Sequence, residues 1–262
     1  MRAGAVILAM LAMAGPAVAE TVQLYAAGSL KGALTDVAKA YEATTGNKIE
    51  AKYGPSGILK NETSKGATAN VFASANMEHP QALHDEKKSS PVMRFARNRL
   101  CALVKPGLAV NSASLLERML DVNVKLGTST PKADPSGDYA FEVFRRAEVI
   151  KPGAQVALEK KALQLTGGAS SAAPPAGRTA YGWHVAEGRA DIFLTYRTNA
   201  LAAQKENQEQ QIVALPDSLA VGADYGLTLM NGAPAAAQGF ADFIMSSQGQ
   251  QILTSHGFAS VK

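Results

Sequence analysis

The sequence has 262 residues, of which 47% are hydrophobic and 18% are charged, and its formal net charge is +4. A chain of this length and composition can bury one large core or two smaller ones, which excludes a disordered chain and a collagen-like repeat. The positive excess is small and no run of Lys or Arg is present, which argues against nucleic acid as a partner.

Residues 1–19 have the pattern of a secretory signal peptide. Arg2 precedes an apolar run, a Gly-Pro pair breaks that run, and the sequence Ala-Val-Ala ending at Ala19 fits the small-x-small cleavage motif. The apolar run is too short to cross a bilayer, which argues against a permanent anchor. The sequence therefore predicts cleavage after Ala19 and a soluble mature chain in the periplasm.

Cys101 is the only cysteine in the sequence. An exported protein with one cysteine has no internal disulfide, and no cysteine stands before the cleavage site to indicate a lipid anchor. Cys101 lies in the apolar segment RLCALV, where it is expected to be a small buried residue.

Strand-like and helix-like segments alternate through the mature chain, and this order predicts an α/β fold with mainly parallel strands. Short apolar runs mark the strands, and apolar residues at helical spacing mark the helices. Strands are predicted over residues 22–26, 49–53, 71–74, 100–104, 124–127, 192–196 and 225–230. Helices are predicted over residues 30–41, 58–65, 81–88, 115–120, 135–147 and 179–187. A helix followed by a turn is predicted over 199–211, and one or two closing helices over 234–256.

A strand, a short turn with Gly or Ser and then a helix recur along the chain. The pattern occurs at Ser29, Ser56 and Ser136, and less clearly at Tyr196. Helix N-termini present unpaired N–H groups that bind anions, and a serine adds a hydroxyl donor. Each serine alone is a common structural cap. Several such turns at the carboxyl ends of strands predict a cage of neutral donors around an anion.

The sequence resembles the periplasmic molybdate-binding proteins of ABC importers. The matching segments fall in order and cover nearly the whole mature chain. They are LYAAGSLKGAL at 24–34, GPSGIL at 54–59, ATANVFASANMEHPQAL at 67–83, ADPSGDYA at 133–140, ADIFLTYRTNA at 190–200 and SSQGQQILTSHGF at 246–258.

The resemblance implies a two-lobed α/β fold. Each lobe would have a mainly parallel sheet flanked by helices, and two crossing segments would join the lobes. Lobe one would comprise residues 20–98 and 222–262, and lobe two residues 99–221. The ligand would be enclosed in the cleft between them.

The resemblance also implies the site residues. Ser29 and Ser56 match two serines of lobe one that hold the oxyanion, Ser136 matches a position that donates its backbone N–H, and Tyr196 matches a tyrosine hydroxyl donor. The sequence departs from the family near Arg178. This residue either lines the cleft as a bidentate donor or is an ordinary surface arginine.

The resemblance implies a binding protein that is not an enzyme. It would capture molybdate, and tungstate similarly, without a cofactor or a metal-cation site, since molybdenum is bound as its oxyanion. Its partners would be an ABC permease and ATPase, and the protein would be a monomer. The alternative ligands are sulfate, chromate or a small organic acid.

Two alternatives from other functional classes remain at this point. A secreted hydrolase could use Ser129 and Lys132, which fit the S-x-x-K motif, although Pro131 between them interrupts the helical turn that the motif needs. A signalling or adhesion module could use the same two-lobed fold without binding a small ligand.

Overall fold

The computed structural model of the protein describes residues 19–261, so the predicted signal peptide, apart from Ala19, lies outside the described residues. The strands are β1 (Thr21–Ala27), β2 (Lys48–Gly54), β3 (Val71–Ser74), β4 (Met93–Val104), β5 (Leu126–Ser129), β6 (Leu163–Thr166), β7 (Ile192–Tyr196), β8 (Gln211–Ala214) and β9 (Gly222–Leu229). The α-helices are α1 (Lys31–Thr45), α2 (Ser56–Ser64), α3 (Glu78–Asp85), α4 (Leu115–Leu120), α5 (Pro135–Ile150), α6 (Ala154–Lys161), α7 (Ala180–Ala186), α8 (Arg197–Glu206), α9 (Ala235–Met245) and α10 (Ser247–Ser255). Short 3₁₀ helices cover Gly28–Leu30 and Asp217–Leu219.

The strands of residues 19–261 form one continuous sheet. Its order is β2-β1-β3-β9-β4-β7-β5-β6, and β8 pairs with β4. The outer strands pair in parallel, β1 with β2 and β3 at one end and β5 with β6 and β7 at the other. Every antiparallel pair contains β4 or β9. The predicted parallel pairing is therefore present in the outer strands, while the two central strands run against their neighbours.

Strand β4 connects the two halves of the sheet. Up to Arg99 it pairs with β9, and from Leu100 onward it pairs with β7 and β8. Its twelve residues span about 40 Å at roughly 3.3 Å per residue. Strand β4 therefore extends from one lobe into the other, and the fold is a two-lobed α/β structure as predicted.

The main differences from the predicted elements lie in polar segments. The predicted strand over 100–104 begins seven residues earlier, at Met93. Its first half was not predicted because Arg94, Arg97 and Arg99 interrupt the apolar run that marks a strand in the sequence. The segment 199–211, predicted as a helix followed by a turn, is helical up to Glu206, and strand β8 begins at Gln211. The closing segment divides into two helices at Ser246, whose Oγ accepts from Gly249 N at 3.1 Å and caps α10.

Helix α5 begins with a strong capping arrangement. Asp134 accepts a hydrogen bond from Ser136 N at 3.0 Å, and Pro135 occupies the first helical turn, where its missing N–H has no cost. The helix then buries a stripe of apolar side chains at helical spacing, Ala140, Val143, Phe144 and Ala147. The cap fixes the start of the helix at the end of β5, and the stripe packs it on the sheet.

None of the helices within residues 19–261 is both long and apolar enough to cross a membrane.

Glu86, at the end of α3, forms a salt bridge with Lys60 of α2. Its carboxylate lies 2.9 Å from Lys88 Nζ and 2.9 Å from Lys60 Nζ. The hydrogen bonds from Lys88 and Lys60 lower the pKa of Glu86 from 4.5 to about 2. Since the folded-state pKa is depressed, this stabilisation is present above pH 4.5 and is lost as the pH falls toward 2.

We therefore expect Glu86→Gln to lower the melting temperature at pH 7 and to have little effect near pH 2. Because the carboxylate is partly exposed, the shift should be a few degrees at most. Thermal unfolding followed by circular dichroism at both pH values measures it. An equal loss at both pH values would show that the charge pairs do not provide the stabilisation.

Candidate anion-binding site

The serines at the predicted turns do not cap their helices. Ala27, Pro55 and Asp134 stand at the N-cap positions before Ser29, Ser56 and Ser136. The structural role that most readily explains a serine at a helix start is therefore absent at all three turns. Their hydroxyl groups are left for other partners.

Ser56 and Tyr196 meet at Ala75, directly after β3. Ser56 Oγ accepts from Ala75 N at 3.2 Å, and the Tyr196 hydroxyl donates to Ala75 O at 3.2 Å. Both side chains are buried, at 1% relative exposure. Since Ser56 begins α2 in one half of the sheet and Tyr196 ends β7 in the other, this contact lies between the lobes.

Ser29 connects to the same cluster through Tyr225. Ser29 Oγ lies 2.9 Å from the Tyr225 hydroxyl, which also accepts from Asn98 Nδ2 at 3.1 Å. The rings of Tyr225 and Tyr196 have their centroids 5.5 Å apart. Tyr225 is thus a member of the site that sequence reasoning missed. It lies within strand β9, away from any strand-to-helix turn.

Burial keeps the two tyrosine hydroxyls protonated. Desolvation raises the pKa of Tyr196 well above its usual range, and it raises the pKa of Tyr225 in the same way. Both residues therefore remain neutral hydrogen-bond donors at physiological pH. A neutral donor suits an anion because it can give a hydrogen bond without a proton transfer.

Ser136 lies at the start of α5 and is fully buried. Its Oγ has no hydrogen-bond partner within residues 19–261. A buried hydroxyl without a partner carries a free-energy cost that a ligand could remove. In this structure Ser136 N donates to Asp134, so a spare donor at this position comes from the hydroxyl rather than from the predicted backbone N–H.

The N-termini of α2 and α5 lie against each other across the cleft. Gly57 N donates to Ala133 O at 3.0 Å. A Cβ on Gly57 would contact Lys132 O and would lie 2.9 Å from Ala133 O, so only glycine fits this approach. The lobes are therefore in close contact at the turn that carries Ser56.

Asp134 is the buried carboxyl nearest to Ser136. Burial raises the pKa of Asp134 above its ordinary value, against the hydrogen bond that it accepts from Ser136 N. Within residues 19–261, Ser29, Ser56 and Tyr196 form hydrogen bonds with a tyrosine hydroxyl or with the backbone of Ala75, and none of these partners is a carboxylate. The side chains of the cluster therefore present hydroxyl groups.

The structure does not bring Arg178 to the other four predicted residues. Its exposed side chain has Nε 3.4 Å from Glu206 Oε2, and Glu206 also accepts from Thr179 N at 2.8 Å. Glu206 is the last residue of α8, and Tyr196 directly precedes the first residue of this helix. The ten residues of α8 span about 15 Å. Arg178 thus lies at the far end of this helix because Glu206 holds it there.

We expect Arg178→Ala to leave anion affinity within about twofold of wild type, since a screened surface ion pair is worth roughly 0.2–1 kcal/mol. Calorimetric titration with molybdate at two salt concentrations measures this. A tenfold loss that diminishes as salt rises would return Arg178 to the site.

The two residues of the S-x-x-K motif form hydrogen bonds with different partners. Ser129 Oγ lies 2.8 Å from Thr166 Oγ1, and Lys132 has a left-handed backbone with φ of 66° after Pro131. Asp138 accepts from Lys132 N at 2.8 Å. Ser129 and Lys132 are therefore not paired as a nucleophile and its base.

Within residues 19–261, no group of three or more His, Cys, Asp or Glu side chains could hold a metal ion.

Three comparisons with known proteins bear on this fold and site. An uncharacterized protein of Pasteurella multocida is 31% identical over 207 residues, which is 79% of this chain and 86% of that protein. The molybdate-binding protein of Rhodobacter capsulatus is 25% identical over 265 aligned positions, covering 99% of this chain and 97% of that protein. The sulfate-binding protein SubI of Mycobacterium tuberculosis superimposes with a TM-score of 0.76 at 16% identity, covering 93% of this chain and 88% of that chain.

The family model for bacterial extracellular solute-binding proteins matches residues 22–259, nearly the whole described chain. The match confirms the expectation of a binding protein rather than an enzyme. The two-lobed fold and the buried hydroxyl cluster between the lobes agree with it. This chain belongs to the bacterial extracellular solute-binding protein family.

Proposed function

We propose that this protein captures a tetrahedral oxyanion, molybdate and in the same way tungstate, in the periplasm and delivers it to an ABC importer. The observation that carries the proposal is the convergence of hydroxyl groups from both lobes. The half-buried Ser29 and the buried Ser56 and Tyr196 lie in one cluster, and Ser136 adds a buried hydroxyl without a partner within residues 19–261.

The chemistry of the cluster favours a fully ionised dianion. Hydroxyl and N–H donors can surround such an anion, and no acceptor is needed for a ligand proton. Phosphate keeps a proton near neutral pH and would need an acceptor among these groups. Sulfate has the same charge as molybdate but is smaller, so the size of the closed cage would decide between them. The similarity to the Rhodobacter capsulatus molybdate-binding protein supports molybdate.

The proposed mechanism is closure of two lobes on the anion. We place lobe one at residues 20–98 and 222–262 and lobe two at residues 99–221, because β4 changes its partners between Arg99 and Leu100. Hydrogen bonds from both lobes to one anion stabilise the closed arrangement only when the anion is present. The closed monomer, exported with its signal peptide removed, would then dock on a permease that works with its ATPase.

A thermal-shift panel tests this proposal. The chain from Glu20 onward is heated with molybdate, tungstate, chromate, sulfate, phosphate or small carboxylates. A ligand at 100 times its dissociation constant stabilises the folded state by about 2.7 kcal/mol. We expect molybdate and tungstate to give the largest increases in melting temperature. If sulfate gives the largest increase, the ligand assignment is wrong, and if no tetrahedral dianion has an effect, the site assignment is wrong as well.

A further inference from the structure

A cavity of about 720 Å³ lies beside the crossing strands. Residues of both lobes line it, including Glu78 of α3, Tyr139 of α5 and Arg197 of α8, together with Arg97 and Arg99 of β4. None of the hydroxyl residues of the oxyanion cluster is among its lining residues, neither the four predicted ones nor Tyr225. The cavity therefore adjoins the cluster through Asn98, which donates to Tyr225, but has its own lining. Its size is typical of sites for small organic molecules rather than for one tetrahedral ion.

Two arginines stand side by side in the wall of this cavity. Leu100 of β4 pairs with Tyr196 of β7, so Arg99 and Arg197 occupy the next positions beyond that antiparallel pair. Arg197 is the first residue of α8, so the two arginines lie just beyond the paired strands, where their like charges repel each other. Neither arginine forms a salt bridge with a carboxylate of residues 19–261, and both side chains are exposed to the cavity or to solvent.

Arg97 differs from these two arginines because it is neutralised. Its Nε lies 2.9 Å from Asp224 Oδ1, and the same carboxylate lies 3.3 Å from Arg94. The positive charge without a protein partner is therefore concentrated at Arg99 and Arg197. An anion placed between the two guanidinium groups would relieve their repulsion.

The remaining polar groups indicate what kind of anion fits. Guanidinium groups bind carboxylates with two parallel hydrogen bonds. Burial raises the pKa of the Tyr139 hydroxyl, which keeps it a donor, whereas Glu78 can only accept when ionised. A ligand with carboxylates at one end and hydroxyl groups at the other matches this set. Its carboxylates accept from the guanidinium groups, and its hydroxyl groups accept from Tyr139 and donate to Glu78.

We propose that this cavity is a second binding site, for a small hydroxylated organic anion whose carboxylates lie between Arg99 and Arg197. Because both lobes line the cavity, its occupation favours one arrangement of the lobes and is coupled to closure on the oxyanion. The site shares no residue with the oxyanion cluster. Binding of the organic anion is therefore independent of the molybdate assignment, and only the coupling to closure rests on the proposed function.

Calorimetric titration with citrate and gluconate at low salt tests the proposal, with inorganic phosphate as a third probe. The variants are Arg99→Gln and Arg197→Gln, singly and together, which remove the charge and keep a polar side chain. Arg118→Ala is the matched control, since this exposed arginine of α4 lies outside the cavity and pairs with Asp121. Circular dichroism checks that each variant is folded.

We expect citrate or gluconate to bind the wild type and Arg118→Ala equally, and to bind the double variant at least tenfold more weakly. Molybdate affinity measured without an organic anion should stay within twofold in the double variant. The proposal is overturned if neither organic anion binds the wild type, if the double variant binds as well as wild type, or if phosphate binds more tightly than both. If the wild type binds an organic anion but does not bind molybdate, the result contradicts the proposed function and leaves this second site intact.

Discussion

Replacing Gly57 by alanine should weaken anion binding by about 5- to 150-fold, equivalent to roughly 1–3 kcal/mol, without harming the stability of the unliganded protein. The added Cβ would meet Lys132 O and lie 2.9 Å from Ala133 O, two backbone atoms of the opposite lobe. Backbone atoms cannot move aside as a flexible side chain can, and such overpacking costs about 1–3 kcal/mol. Since the contact joins the two lobes, we expect it only in the closed arrangement.

The unliganded protein should tolerate the same change. Gly57 is the second residue of α2, and alanine is better than glycine in a helix by about 0.8–1 kcal/mol. The melting temperature without ligand should therefore be unchanged or higher. Asn61→Ala, at an exposed position of the same helix, is the control. Wild-type affinity in Gly57→Ala would show that binding does not require the contact between α2 and the 132–133 loop.

The double variant Ser29→Ala with Ser56→Ala should lose at least 100-fold in molybdate affinity. Each lost hydrogen bond to a charged ligand costs about 1.5–3 kcal/mol, and about 1.4 kcal/mol corresponds to tenfold in affinity. Tyr225 keeps its bond from Asn98 when Ser29 is truncated, so the fold should remain intact.

Ser255→Ala provides the matched control for the double variant. Ser255 is exposed, and its Oγ donates to Ile252 O at 2.8 Å. Calorimetry with molybdate and thermal unfolding without ligand separate binding from stability. If the double variant titrates like Ser255→Ala, the serine hydroxyls do not contact the anion.

The turn pattern, which depends on local sequence, leads to three residues of the candidate site. Ser29, Ser56 and Tyr196 each lie where a strand ends and a helix begins, and the parallel outer strands bring such ends to one edge of the sheet. Tyr225 could not be predicted in this way because it lies within a strand. Its role depends on the register that places β9 between β3 and β4.

Long-range partners account for the other differences. Arg178 is held by Glu206, 28 residues further along the chain, and no local pattern indicates that pairing. The first half of β4 alternates arginines with buried residues, so it does not form the apolar run that marked the other strands. Its place in the sheet depends on pairing with β9, which lies more than one hundred residues away in sequence.

Calorimetric titration of the chain from Glu20 onward with molybdate, repeated after saturation with sulfate, tests most directly whether the cleft binds this oxyanion. We expect one molybdate per chain, bound in a cleft that closes on it, and the same endpoint at reduced apparent affinity when sulfate competes. Absence of binding heat with molybdate, together with saturable binding of sulfate or of an organic acid alone, would contradict it.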